Sequence, residues 1–177
     1  MEDYAAVYTA LHRNKKHFRG HSIKAGLVNI VGLVVDTFPR RILDYGCGKG
    51  FQYTVDKVHE EWAGPMPVLY DIGVPKFSAR PQGPFDGVIC TDVMEHIAEQ
   101  DVPAVLADIF GFLPPRDDGG TSFAYFYIAC RPARRKTLPD GRNVHLTVRE
   151  PAWWVDKLHR HQRTGLRILS EYDTGAE

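Results

Sequence analysis

Apolar residues along this chain recur at two different periods. Ile23, Leu27, Ile30, Val31, Val34 and Phe38 come at three- and four-residue steps, which lines one face of a helix, and Pro39 ends the pattern. The short apolar run Arg41-Ile42-Leu43-Asp44-Tyr45 leads into Gly46-Cys47-Gly48-Lys49-Gly50, as a buried strand leads into a glycine-rich turn. Phe51, Val55, Val58 and Trp62 predict a helix after that turn. Further strands are predicted over 68–71, 85–91, 122–130 and 166–172, and Val88-Ile89-Cys90 has the continuous apolar character of a strand buried on both faces. Helices are predicted over 102–113, with Asp101 as N-cap and Pro103 in the first turn, and through Trp154 and Leu158 after a capping box at Thr147-Val148-Arg149-Glu150. Tyr4, Val7, Tyr8 and Leu11 form one more short apolar stripe, suited to a lid or to an edge helix packed on a sheet.

Strands alternating with helices predict an α/β domain: a Rossmann-like, mostly parallel sheet with helices on both faces and ligands at the carboxyl ends of the strands. The 177 residues, 44% of them hydrophobic, suffice for one domain and hardly for two. Residues 1–22 would then be an N-terminal lid or edge helix on a core over 23–172. Equal numbers of basic and acidic side chains, 22 each, argue against a protein that coats nucleic acid. The most apolar stretch, 27–35, is too short to cross a bilayer and no leader opens the chain, so a cytoplasmic protein is expected. Cys47, Cys90 and Cys130 lack the close spacing of zinc ligands and cannot all pair, which also suits a reducing compartment. They could instead meet as a thiolate cluster at three strand ends.

The glycines at 46, 48 and 50 let backbone approach a ligand closely. Their GxGxG spacing is neither that of a dinucleotide fingerprint nor that of a P-loop. Asp71, at the end of the next strand, can accept hydrogen bonds from both hydroxyls of a ribose, so the pair suggests a nucleoside ligand without a pyrophosphate. Asp92, Glu95 and His96 follow the strand over 85–91. On a helical turn their spacing would put all three on one face, where carboxylates and imidazole suit Mg²⁺ or Mn²⁺. His145, from a later connection, could reach the same mouth.

The run 42–50 together with Phe85-Asp86-Gly87-Val88-Ile89-Cys90-Thr91-Asp92-Val93-Met94-Glu95-His96-Ile97 resembles the first and fourth motifs of class I S-adenosylmethionine-dependent methyltransferases. The resemblance covers roughly residues 23 to 170. It implies that Asp44, Gly46, Cys47, Gly48 and Gly50 form the cofactor turn around the methionine part of S-adenosylmethionine, that Asp71 holds the ribose, and that Thr91 and Asp92 complete the cofactor site. The acidic residue ahead of a Glu-His pair, with a later His, is similar to the site of metal-dependent O-methyltransferases acting on a terminal ribose of small RNA or in ubiquinone biosynthesis. That likeness implies Asp92, Glu95, His96 and His145 as metal ligands and Glu95 and His96 as catalytic residues. A metal-free reading makes His96 a general base, with Glu95 pairing locally. A third reading keeps the pocket without chemistry, as a cofactor-binding partner subunit.

The chain departs from that family in two places. Residues 72–84 cannot hold both the usual helix and the usual strand, so the adenine-side residues are unassigned, and a terminal hairpin is expected to be shortened or missing. Two basic runs, over 12–19 and 131–136, break the charge balance. Arg131, Arg134 and Arg135 follow a strand end directly and are candidates for an anionic acceptor: a small molecule, a glycan or an RNA end carrying the hydroxyl, though such runs also serve as plain solvated surface.

Overall fold

Side chains on the central strands alternate between two apolar layers, and that alternation places the helices. In the computed structural model, which describes residues 4–12, 22–62, 64–134 and 137–175, five strands form one sheet. In chain order the elements are α1 (Tyr4–His12), α2 (Leu27–Thr37), β1 (Ile42–Tyr45), α3 (Phe51–Thr54), β2 (Val68–Tyr70), β3 (Gly87–Thr91), α4 (Val102–Gly111), β4 (Ser122–Ala129), α5 (Pro151–His159) and β5 (Leu166–Asp173). The sheet order is β2-β1-β3-β4-β5 and every pairing is parallel. Leu43, Val88, Ala124 and Phe126 pack with Leu106 and Ile109 of α4 and Trp154 and Leu158 of α5. Ile42, Ile89, Phe123 and Tyr125 pack with Ile30, Leu33 and Val34 of α2. Each such large apolar side chain, withdrawn fully from water, contributes about 1.5–3 kcal/mol.

The predicted α/β sheet with helices on both faces is the architecture found, and so is its shortening. Between β2 and β3 the chain forms a single 3-10 turn, Pro75–Phe77, leaving β2 as an edge strand. At the other edge β5 runs parallel to β4, with no antiparallel strand among the described residues.

Several local expectations are corrected. Phe38 does not continue the buried face of α2: it takes a left-handed conformation (φ 47°) beyond the helix end and is 75% exposed. The helix expected from Phe51 to Trp62 stops at Thr54, and left-handed Lys57 turns the chain into a 3-10 segment, so Val55 faces solvent while Gln52 and Tyr53 are buried. Asp101 does not cap α4 with its side chain, because its Oδ2 accepts the Tyr4 hydroxyl at 2.8 Å. The capping box at 147–150 does not form. Thr147 is buried and its hydroxyl donates to the Ile97 carbonyl at 2.7 Å, while α5 starts at Pro151.

Candidate functional site

Parallel strands bring all their carboxyl ends to one edge of the sheet, and a cavity of 680 Å³ opens there. Gly46 and Gly48 form one wall. Gly46 has φ +85°, and a Cβ at that position would lie 2.2 Å from Cγ2 of Val93, so only glycine admits both the turn and the close passage of the loop after β3. Asp71 lies directly beside them. Its Oδ2 accepts from the Gly48 amide at 2.9 Å and its Oδ1 from the Gly73 amide at 2.8 Å, which fixes the carboxylate while leaving lone-pair directions toward the cavity. Thr91, the last residue of β3, and Asp92 just after it line the cavity. A nucleoside-bearing cofactor fits this arrangement: a glycine cradle with an anchored ribose acceptor beside it.

Asp44, Cys47 and Gly50 lie behind the turn and do not line the cavity. Asp44 is buried, with Gln52 Nε2 donating to its Oδ2 at 2.7 Å, and burial pushes its pKa up to about 7 against the opposing effect of Tyr53 and Gln52. Gly50, at φ +68°, starts α3. Burial likewise raises the Cys47 and Cys90 thiols, and Cys130 goes up to about 11. Among the described residues the three cysteines do not meet as a ligand group.

The acidic-histidine set assembles differently from the expected helical face. Asp92 is left-handed (φ 54°) and lies outside the 3-10 turn Met94–His96, so periodic spacing does not relate it to Glu95 and His96. Glu95, His96 and His145 nonetheless converge, with one ligand atom from each lying within 4.8 Å of the others. Asp92 is not part of that trio. His96 Nδ1 is hydrogen-bonded to the Val144 carbonyl at 2.9 Å and His145 Nδ1 to the Arg131 carbonyl at 2.7 Å. A carbonyl can only accept, so both rings carry their proton on Nδ1 when neutral and a lone pair on Nε2. The rings meet edge to face with centroids 4.9 Å apart.

Glu95 is wholly buried. Its Oε1 accepts from the Ala129 amide at 3.3 Å, and its Oε2 has no hydrogen-bond partner among the described residues. Burial first, and then the Asp92 charge, raise its pKa well above the carboxylate range. An orphaned carboxylate oxygen beside two imidazoles oriented by backbone carbonyls is the donor chemistry of a divalent cation site. The supporting loop was not read from sequence. Asn143 Oδ1 accepts from the amides of Ala133 and His145, at 3.0 and 2.8 Å, and Thr147 N–H donates to the Glu95 carbonyl, so the segment 143–147 is tied both to Ala133 and to the turn carrying Glu95 and His96.

Of the proposed acceptor residues, Arg131 and Arg134 line the cavity, and Arg131 is already paired with Asp173 at 2.6 Å. Arg135 lies outside the described residues, as does most of the basic run over 12–19. Tyr127 and Ser22 also line the cavity and were not singled out in the sequence. The inward alternation of the aromatic β4 strand was the available signal for Tyr127. Tyr4 and Tyr8 place the predicted N-terminal stripe on the cavity wall.

A family model described as a methyltransferase domain matches residues 16–165. No curated protein and no solved structure gives a significant match. No helix among the described residues is long and apolar enough to cross a membrane.

Proposed function

The chain belongs to the class I S-adenosylmethionine-dependent methyltransferase family, and from that premise we propose that it methylates a hydroxyl oxygen with the help of Mg²⁺ or Mn²⁺ held by Glu95, His96 and His145. The observation that carries this reading is the convergence of these three side chains, two of them on the wall of the cavity that Gly46, Gly48 and Asp71 also line.

The cofactor supplies a methyl group on a sulfonium, electrophilic without further activation. A divalent cation supplies Lewis acidity that lowers the pKa of a bound hydroxyl. Bound in the cavity, S-adenosylmethionine would give its methyl group to the acceptor oxygen and keep the carbon–sulfur electron pair, and the acceptor's hydroxyl proton would pass to water. Gly46, Gly48 and Asp71 hold the donor at one end of the cavity, and the Glu95 loop holds the acceptor hydroxyl at the other, so orientation supplies much of the rate. Asp92, beside Glu95 on the cavity wall, adds negative charge to the cation site. The cavity is in the size range that holds small ligands, so the acceptor is a small molecule or the end of a larger one, such as a glycan or an RNA terminus. Arg134 at the cavity suits an acceptor that carries a phosphate or carboxylate. The three cysteines form no disulfide, which suits cytoplasmic residence.

Calorimetric titration with S-adenosylhomocysteine and with Mn²⁺ tests both halves of the proposal. S-adenosylhomocysteine should bind the wild type, and His96→Ala and His145→Ala should each weaken Mn²⁺ binding by about tenfold or more. If Mn²⁺ does not bind the wild type while the homocysteine analogue does, the metal-free reading stands instead, with His96 Nε2 taking the acceptor proton.

A further inference from the structure

The family's usual helix and strand between the ribose-binding acid and β3 are missing from this chain, and α1 lies against the surface left there. Gly73, in the turn after Asp71, is packed so tightly against α1 that a Cβ would lie 2.7 Å from Cβ of Tyr8, 2.9 Å from its carbonyl carbon and 2.8 Å from Cδ2 of His12. His12 Nε2 is 3.6 Å from Asp71 Oδ1, and both side chains are nearly buried. One turn earlier on the helix, Tyr8 lines the cavity and donates its hydroxyl to the His96 carbonyl at 3.2 Å, with its ring 5.7 Å from the His96 ring. Tyr4 anchors the start of the helix, donating to Asp101 and accepting from the Ala98 amide at 2.8 Å. Tyr45 and Tyr70 also line the cavity, in the same apolar cluster as Tyr4 and Tyr8, and are packed edge to face with centroids 5.3 Å apart.

We infer that α1 replaces the missing family element as the nucleoside clamp: His12 joins Asp71 at the ribose, and Tyr8 with Tyr45 and Tyr70 forms the aromatic slot for the adenine. This rests on the S-adenosylmethionine reading of the site. An adenine needs flat apolar walls, and aromatic faces provide them whatever the exact base orientation. Ribose hydroxyls need acceptors and donors together. Asp71 only accepts, whereas an imidazole can donate. Burial lowers the pKa of His12 and the Asp71 charge opposes the shift, with a smaller lowering from Lys49. Because Tyr8 also touches His96, the helix that closes on the nucleoside is the one that packs on the proposed acceptor side. Cofactor binding should therefore protect α1 against local opening.

The test is calorimetry of the full chain with S-adenosylhomocysteine and with 5′-methylthioadenosine, which keeps the nucleoside half and lacks the amino-acid half. Tyr8→Ala and His12→Ala should each weaken both ligands by about tenfold or more, the range that loss of a stacking or polar contact gives. Tyr8→Phe, which keeps the ring, should stay within about threefold of wild type. If folded Tyr8→Ala and His12→Ala proteins bind both ligands as wild type does, the clamp is wrong. If wild type binds neither ligand, the cofactor reading itself fails and the clamp with it. Hydrogen exchange on the wild type needs no variant: S-adenosylhomocysteine should slow amide exchange over residues 4–12, and unchanged exchange there, with the ligand bound, would overturn the inference.

Discussion

Glu95 and Asp44 are two buried carboxyls with different tasks, and their protons tell them apart. Asp44 titrates near 7 in the folded protein, whereas an unfolded chain titrates near 4. Below about 4 both states keep the proton. Between these values only the native state does, so the native state loses stability as pH rises toward 7, by at most about 1.4 kcal/mol per pH unit. Asp44→Asn keeps the shape and removes the titration. Denaturant melts between pH 4 and 8 should show a flatter profile for that variant than for wild type, and identical profiles would refute the assignment. Glu95 is also raised by burial, but its Oε2 has no hydrogen-bond partner among the described residues and it sits among the imidazoles of the proposed cation site. Mn²⁺ binding should release its proton, so metal affinity should rise with pH. Calorimetry in buffers of different ionisation enthalpy would read that proton directly, and Glu95→Gln should abolish its release.

At the scale of elements, the site depends on a few connections that lie outside the strands. Thr147 joins the loop carrying His145 to the turn carrying His96 through one buried hydroxyl and one backbone amide. Thr147→Val leaves the Ile97 carbonyl without that donor. It should cost about 1–3 kcal/mol in denaturant melts and should also weaken Mn²⁺ binding, although Thr147 is no ligand. A variant that lost stability but bound metal unchanged would show that the loop does not position the trio. Gly73 is not on the cavity wall, but Gly73→Ala pushes from beneath on Tyr8 and His12 of α1, which are. Its expected effect is weaker S-adenosylhomocysteine binding with the melting profile of the sheet retained. The strands and the glycine turn were legible from apolar runs because a strand buried on both faces has few compositions open to it. The short helix α3, by contrast, was hidden by Val55 and Trp62, which continue a helical period by chance. The period counts spacing and cannot see that Lys57 reverses the chain.

For the whole molecule, two ligands acting at one cavity should stabilise the fold by mass action. Mn²⁺ and S-adenosylhomocysteine should each raise the melting temperature in proportion to the logarithm of their concentration, and a chelator should reverse the metal effect alone. Sequence by itself determined the parallel α/β sheet, the glycine turn, Asp71 at the next strand end and the shortened region after it, because these are written in local apolar runs and glycine spacing. It also named Glu95, His96 and His145. Only the tertiary structure decided that these three converge while Asp92 stays outside the trio, since the left-handed turn at Asp92 breaks the expected face. The place of α1 was likewise undetermined by its own stripe of Tyr4 and Tyr8, which suited a lid and an edge helix equally. Its contacts with Gly73, Asp71 and His96 lie tens of residues away in the chain, and such long-range packing leaves no period in a sequence.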